Sequence, residues 1–258
     1  MRAILRAIID PVFPTSCLVC RSFFHPGPRP MEAFSDQPID LLIPFVCADC
    51  MKGLLPVRSP MCTRCAAVYH SEEGEDHLCE ACIKADGSFR LARALGRYEA
   101  TLMTLVHRFK YEGKIQLAKP LGRALFSVYN RFWQKERIDM ILPVPLHPTR
   151  FRSRGFNQSY LLVKNWVKFS DTGFSVPPVI KHILVRIRST APQTGLSRKE
   201  RGANIRGAFS ITDAQAIAEK NILLVDDVFT TGATVEECAR VLLASGAQGV
   251  DVLTLARA

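Results

Sequence analysis

The chain has 258 residues and a formal net charge of +10, with 48% hydrophobic and 22% charged residues. That balance is ordinary globular usage and excludes a disordered or collagen-like chain. No apolar run approaches the ~20 residues that a bilayer-spanning helix needs, and the length suits one large domain or a medium domain with a small appendage.

The charge is unevenly placed. Residues 140–210 hold twelve of the 34 Lys and Arg but only two acids, Asp171 and Glu200, so this stretch carries the whole +10 and the remainder balances. A polyanion site has this signature, and a solvated basic face is the plain alternative.

In chain order, the first thirteen residues form a short apolar stretch interrupted by Arg2, Arg6 and Asp10. The charges and the lack of a small-residue cleavage site argue for a short amphipathic helix packed on the body rather than a signal peptide. Eight of the nine cysteines then fall in four C-x-x-C pairs: Cys17 and Cys20, Cys47 and Cys50, Cys62 and Cys65, Cys79 and Cys82. Each pair lets a tight turn aim two thiolates at one point, and two pairs close a tetrahedral zinc site. Two structural four-cysteine zinc sites are therefore expected, with one occupied site and some unused thiols as the competing reading. A thioredoxin-like role needs a single such motif in a βαβ context, which none of these has. Pairing in chain order joins Cys17/Cys20 with Cys47/Cys50 and Cys62/Cys65 with Cys79/Cys82; an interleaved pairing stays open. His70 and His77 read as bystanders. Closed sites of this kind fold a segment too small for its own core, so residues 1–88 read as a small metal-stapled domain, with a linker over 84–88 and a second domain over 89–258.

From residue 89 the pattern alternates between strands and helices. A strand ending near Tyr98 precedes a helix over 100–110, which Gly113 stops. A helix over 114–134, a strand over 140–144, a loop through Arg154 and a helix over 155–169 follow. Then come a strand over 179–187, a long polar loop over 188–206, a helix over 211–220, a buried strand over 221–225, a helix over 233–244 and a last strand over 250–256. This order predicts an α/β fold whose parallel sheet is covered by helices on both faces.

The chemistry concentrates after the apolar run Ile222-Leu223-Leu224-Val225. Asp226 and Asp227 follow in what reads as an exposed loop, and Thr230-Thr231-Gly232-Ala233-Thr234 lead into a helix. Ligands of open α/β sheets sit beyond the carboxyl ends of the strands. A helix N-terminus offers free N–H groups to a phosphate, and the threonine hydroxyls add donors. The two carboxylates can accept from vicinal sugar hydroxyls or hold a divalent cation indirectly. The run therefore reads as a ribose-phosphate cradle, against the plain alternative of a βα junction. It is neither a P-loop nor a G-x-G-x-x-G fingerprint.

Over its whole length this run resembles the phosphoribosyl pyrophosphate (PRPP) binding motif of type I phosphoribosyltransferases. Pro143-Val144-Pro145-Leu146-His147 leading to Arg154-Gly155-Phe156-Asn157-Gln158 is similar to a signature of the ComF (GntX-like) family. So is Gln193 followed by Arg198, Arg201 and Asn204, with Gly207-Ala208-Phe209 beyond. The cysteine pairs resemble that family's double zinc ribbon, so the match covers essentially the whole chain.

The resemblance implies a type I phosphoribosyltransferase-like domain over 89–258, preceded by a double zinc-ribbon domain over 1–88. It implies a cytoplasmic protein of natural transformation, peripheral at the inner face of the membrane, that handles imported single-stranded DNA alongside competence-machinery proteins. By the same resemblance Asp226 and Asp227 contact the ribose hydroxyls, and Thr230, Thr231, Gly232, Ala233 and Thr234 hold the 5′-phosphate. The loop before Arg154 corresponds to the pyrophosphate loop, and residues 188–204 to a mobile loop whose arginines suit diphosphate charge. The alternative is an active phosphoribosyltransferase that uses PRPP and Mg²⁺ on a nucleobase or related acceptor. It would displace pyrophosphate through an oxocarbenium-like transition state with no protein nucleophile. Lys110 and Tyr111 are placed near the same cleft. Phe151 is a candidate stacking residue for DNA, while Phe156 and Cys238 read as core.

Overall fold

The computed structural model describes residues 15–26, 37–69, 71, 73–84, 87–170, 175–191 and 197–258. The helix expected over residues 1–13 lies outside them. Strands β1 (Thr15–Ser16) and β2 (Phe23–Phe24) pair antiparallel around the first cysteine pair. Short helices α1 (Ala48–Lys52) and α2 (Glu80–Lys84) begin just after Cys47 and Cys79 and carry Cys50 and Cys82.

Beyond them come β3 (Ala92–Arg97), α3 (Ala100–Tyr111), α4 (Ala118–Trp133), β4 (Met140–Pro143), α5 (Pro148–Arg154) and α6 (Gln158–Val163). The remainder is β5 (Leu184–Arg186), α7 (Arg198–Ile205), β6 (Phe209–Ile211), β7 (Asn221–Phe229), α8 (Ala233–Ala244) and β8 (Gly249–Arg257). Strands β3, β8, β7 and β4 form one parallel sheet in that order. Both faces are covered, as continuous apolar runs in parallel strands require. Leu223 and Val225 of β7 pack with α3, α4 and α6, whereas Ile222 and Leu224 pack with α8 and the β5–β6 pair.

The local chemistry explains most boundaries. Gly113 takes φ +62° after α3. In α5, Pro148 fills the first turn, His147 accepts from Thr149 N, and Gly155 closes the end in the left-handed region at φ +81°. Asn157 caps α6 through Tyr160 N at 3.2 Å, so the helix expected over 155–169 is shorter and is followed by a turn of 3-10 helix at Trp166–Lys168.

Two expectations are corrected. The polar loop of 188–206 contains α7, nucleated by a reciprocal cap: Glu200 N donates to Ser197 Oγ at 3.3 Å, and Ser197 N to Glu200 Oε2 at 2.8 Å. The helix expected over 211–220 is instead the end of β6, which pairs antiparallel with β5, and a single 3-10 turn at Gln215–Ile217.

The cysteine segment does not stand apart from the sheet. Cys17, Leu42, Val46 and Leu54 join the core on one face, and Cys62 and Cys65 join it on the other. Thr101 Oγ1 donates to Cys50 O at 2.7 Å, and Ala92 N to Arg64 O at 2.7 Å. Among the described residues no helix is long and apolar enough to cross a membrane.

Candidate phosphate-binding cleft and metal centres

Strand β7 does not stop at Val225. It keeps its ladder with β8 through Asp226 opposite Thr254 and Val228 opposite Ala256, and ends at Phe229. The two acids are therefore buried, at 8% and 3% exposure, and not in an exposed loop. Ser159 Oγ donates to Asp226 Oδ1 at 3.0 Å, and the amide of Asp227 donates to the same oxygen at 2.9 Å. Lys110 Nζ lies 2.7 Å from Asp227 Oδ1. Asp227 Oδ2 is buried with no hydrogen-bond partner among the described residues. Burial, and after it the neighbouring Asp227 carboxylate, pushes Asp226 up to about 7. Burial works against the charge of Lys110, but Asp227 and Asp226 hold its ammonium above the usual lysine value.

The turn after β7 is a close fit. Gly232 adopts φ +81°, and a Cβ there would meet the Phe229 ring at 2.7 Å, so only glycine is accommodated. As N-cap of α8 it brings no side-chain acceptor, and such a helix start offers its leading amides to an anion. Thr231 Oγ1 is 3.5 Å from Ala233 N. Thr230 Oγ1 accepts from Arg201 Nη1 at 3.1 Å, and Thr234 lines the cleft.

The cleft measures about 880 Å³ and opens beside the C-terminal ends of β4 and β7. Asp226, Asp227 and Lys110 face it from one side, and Arg150, Arg154, Arg186 and Arg201 contribute the cationic lining. Arg154 ends α5 rather than starting a helix; its guanidinium stacks 5.3 Å from the Tyr111 ring and donates to Gln158 Oε1 at 2.6 Å. Arg186 is 8% exposed and stacks on Phe209; its Nη2 donates to Thr190 Oγ1, and its Nε is buried without a partner among the described residues. Burial, then the like charge of Arg150, lowers its pKa from the ordinary arginine value. Such a guanidinium is one that an anion would satisfy.

Of the residues singled out in sequence, Asp226, Asp227, Thr230, Thr234 and Arg154 converge on this cleft, together with Lys110 and Tyr111. Thr231, Gly232 and Ala233 form the turn behind it, and Gln193 lies outside the described residues. Phe156 stacks on Phe109 at 5.8 Å and is half-buried, while Phe151 is 49% exposed. Sequence reasoning missed Arg186 and Ser159. The signal for Arg186 was present, as a lone cation inside the apolar run Ile183-Leu184-Val185-Arg186-Ile187.

The cysteines form two quartets, paired in chain order: Cys17, Cys20, Cys47 and Cys50, then Cys62, Cys65, Cys79 and Cys82. Within each, all Sγ atoms lie within 4.8 Å of one another. The Cys20–Cys47 and Cys65–Cys79 Sγ distances are 3.7 Å, close to the edge of about 3.8 Å for a tetrahedron with Zn–S of about 2.3 Å. Val19 N and Cys47 N each donate to Cys17 Sγ at 3.3 Å, and Cys65 N and Cys79 N donate to Cys62 Sγ at 3.4 and 3.3 Å. Donation by backbone amides stabilises thiolates, so both quartets fit a structural zinc ion. His77 stacks on Tyr69 at 4.2 Å and joins neither.

Fold and site together define an α/β protein with a cleft at its strand ends lined by four arginines and two acids, and two four-cysteine groups that could each hold a metal ion. A search of protein-family models finds no match to the chain. Curated relatives do match over most of it. The chain is 31% identical over 219 residues to competence protein F of Haemophilus influenzae, covering 83% of this chain and 90% of that one. It is 26% identical over 243 residues to competence protein ComFC of Bacillus subtilis, covering 93% and 94%. Against the DNA utilization protein YhgH of Escherichia coli K12 the identity is 29% over 231 residues, covering 84% and 99%. The chain belongs to the ComF family. Among solved structures, a hypoxanthine phosphoribosyltransferase of Staphylococcus aureus aligns with 57% of this chain at 16% identity and a TM-score of 0.30. The chain spans less than two thirds of that structure, 64% of its length.

Proposed function

We propose that the cleft binds a phosphoribosyl ligand, PRPP with its Mg²⁺, and that the protein handles single-stranded DNA during competence. The observation that carries the ligand reading is a pair of orphans lining one cleft. Among the described residues neither Asp227 Oδ2 nor Arg186 Nε has a hydrogen-bond partner, and both residues belong to the cleft lining. A single molecule satisfies both if it carries hydroxyls or a cation at one end and phosphate at the other, as PRPP does.

In this reading Asp226 and Asp227 accept the ribose hydroxyls, and the turn of Thr230, Thr231, Gly232, Ala233 and Thr234 receives the 5′-phosphate. Arg154 and Arg186 meet the diphosphate. Asp226 and Asp227 are also the groups that would hold Mg²⁺ through water, and the ion would neutralise the diphosphate charge. Lys110 keeps one acid compensated and fixes its orientation, so the pair is preorganised before a ligand arrives. Burial and the neighbouring Asp227 carboxylate hold Asp226 well above the ordinary carboxylate value, so the acid pair can adjust its charge to what binds.

The printed names of the relatives, competence proteins and DNA utilization proteins, support the DNA reading. So does α5, which shows Phe151 and Arg152 to solvent next to Arg150. Residues 1–88 serve as the metal-stapled unit with two zinc ions, and residues 89–258 as the ligand-binding unit. Competence-machinery proteins and the inner membrane surface are the proposed surroundings. The transferase alternative draws on the volume of the cleft, where Tyr98 and Tyr111 leave an aromatic flank for an acceptor base.

Calorimetric titration with Mg·PRPP, run beside a short single-stranded DNA at two salt concentrations, tests both halves. PRPP binding without DNA binding supports the transferase, and DNA binding alone supports a nucleic-acid module with a disused cradle.

A further inference from the structure

Arg257, the last residue of β8, touches both the second cysteine quartet and the phosphate turn. Its Nε donates to Cys65 O at 3.0 Å, and its Nη2 lies 3.8 Å from Cys65 Sγ. Its Nη1 donates to Thr230 O at 3.0 Å and Phe229 O at 3.3 Å. Arg257 Cζ lies 4.7 Å from the centre of the Phe229 ring, against which Gly232 is packed. One rigid fork therefore spans from a metal-ligating residue to the loop that would grip a phosphate, and it does not line the cleft itself.

A second route runs beside it. Arg64, inside the Cys62–Cys65 knuckle, donates through Nε to Phe89 O at 3.0 Å. The Phe89 ring meets Phe229 edge-on at 5.8 Å. Ser88 N donates to Glu236 Oε1, in the first turn of α8, at 2.6 Å. The second quartet is thus built against the back of the phosphate turn. The first quartet packs on the opposite face of the sheet.

We infer that Arg257 is a positioning residue that couples metal occupancy of the Cys62–Cys65–Cys79–Cys82 site to phosphate binding at Thr230–Thr234. With the ion in place, Cys65 is fixed and Arg257 holds the Phe229 and Thr230 carbonyls, setting the turn that Gly232 closes. Without it, Cys65 is free to shift and the turn loses its rear support. Linkage makes the effect reciprocal: ligand in the cradle tightens the second ion and leaves the first unaffected. Couplings of this kind amount to roughly 5- to 150-fold in affinity, and a single bridging side chain should supply about 5- to 50-fold.

This inference uses the phosphate reading of the turn, so its test has one arm that needs no ligand. In the full-length zinc-loaded protein, zinc occupancy at buffered free-zinc concentrations is measured with and without saturating Mg·PRPP. One of the two zinc ions should bind about 5- to 50-fold more tightly with PRPP; equal shifts at both sites, or none, would overturn the coupling. Arg257→Gln should keep two zinc ions, weaken PRPP by the same factor and erase the shift. Arg257→Lys keeps the charge but cannot span both partners, so it should behave like the Gln variant; full recovery of coupling in it would refute the bridge. Without ligand, amide exchange at 230–234 should accelerate in both zinc-loaded variants while α4 amides stay protected. Unchanged exchange there sinks the inference. A wild-type chain that binds no PRPP overturns the phosphoribosyl reading instead, and the coupling is then decided by wild-type amide exchange at 230–234 across the buffered free-zinc series, where exchange that does not change as the second ion is lost overturns it.

Discussion

Lys110 and Asp227 meet at 2.7 Å beside the cleft, the ammonium coming from the last turn of α3 and the carboxylate from within β7. Both side chains are mostly buried, at 17% and 5% exposure. Asp226 stands next to them, so two carboxylates share one cation. Removing one partner of a buried pair leaves an uncompensated charge and costs about 3–5 kcal/mol. Lys110→Met should therefore destabilise the fold by that order at pH 8. At pH 5, where Asp226 is protonated, one charge fewer lacks a counter-ion and the loss should be smaller. Denaturant unfolding at the two pH values checks this; an equal loss at both would contradict the shared-cation account.

Asp226 makes its own pH prediction. Its folded pKa is raised from the ordinary carboxylate value to about 7 by burial first and Asp227 second. The folded state thus holds a proton that the unfolded state has released. Stability from this group is full below about pH 4 and is lost as pH climbs towards 7. Asp226→Asn keeps an oxygen to accept from Ser159 and from the Asp227 amide, and it cannot ionise. The variant should gain on wild type as pH rises from 4 to 8, yet lose about one to two decades of PRPP affinity with the missing acceptor charge. Melting curves across that range, paired with calorimetry, decide; a stability difference that does not grow with pH refutes the burial argument.

Much of this was legible in the sequence because the governing signals are local. Four apolar residues followed by two acids and a Thr-Gly turn place β7, the turn after it and α8 in register, and C-x-x-C spacing locates the four cysteine pairs while leaving open how they combine into the two quartets. What was misread depends on tertiary context. β7 runs on through Asp226 and Asp227 because β8 continues to pair with it as far as Arg257, and no feature of the acids themselves announces that. α7 lay hidden in a polar stretch, although Ser197 and Glu200 carry the S-x-x-E capping pattern that marks a helix start. Lys110 was placed near the cleft, but its partner sits 117 positions away in sequence, beyond the reach of any periodicity.

Metal removal should be felt on both faces of the sheet. Leu42, Val46 and Leu54 pack with α3 and α4, while Cys62 and Cys65 sit in the cluster that includes α8. Native mass spectrometry should find two zinc ions per chain. Chelation should strip exchange protection from the cysteine segment and lower the melting temperature of the whole chain by at least about 10 °C, since structural zinc supplies folding free energy directly. A metal-free chain that melts where the loaded one does would falsify the structural role of the quartets.

The basic stretch offers the clearest test of nucleic-acid binding. The whole +10 lies in residues 140–210, and α5 carries Arg150, which lines the cleft, next to the exposed Phe151 and Arg152. Single-stranded DNA docked there should bind with a log–log salt slope of about −0.7 per phosphate neutralised. Arg150→Glu with Arg152→Glu should flatten that slope by about 1.4 and weaken binding at every sequence tested, leaving zinc content unchanged. Phe151→Ala should cost roughly 1–3 kcal/mol if a base stacks on it, with the slope preserved. Arg150 also lines the cleft and donates to Thr190 O at 3.3 Å, so Mg·PRPP should compete with DNA for this rim. DNA binding that ignores salt, or that survives the double reversal intact, would place the nucleic-acid surface elsewhere, with the cysteine segment as the next region to probe.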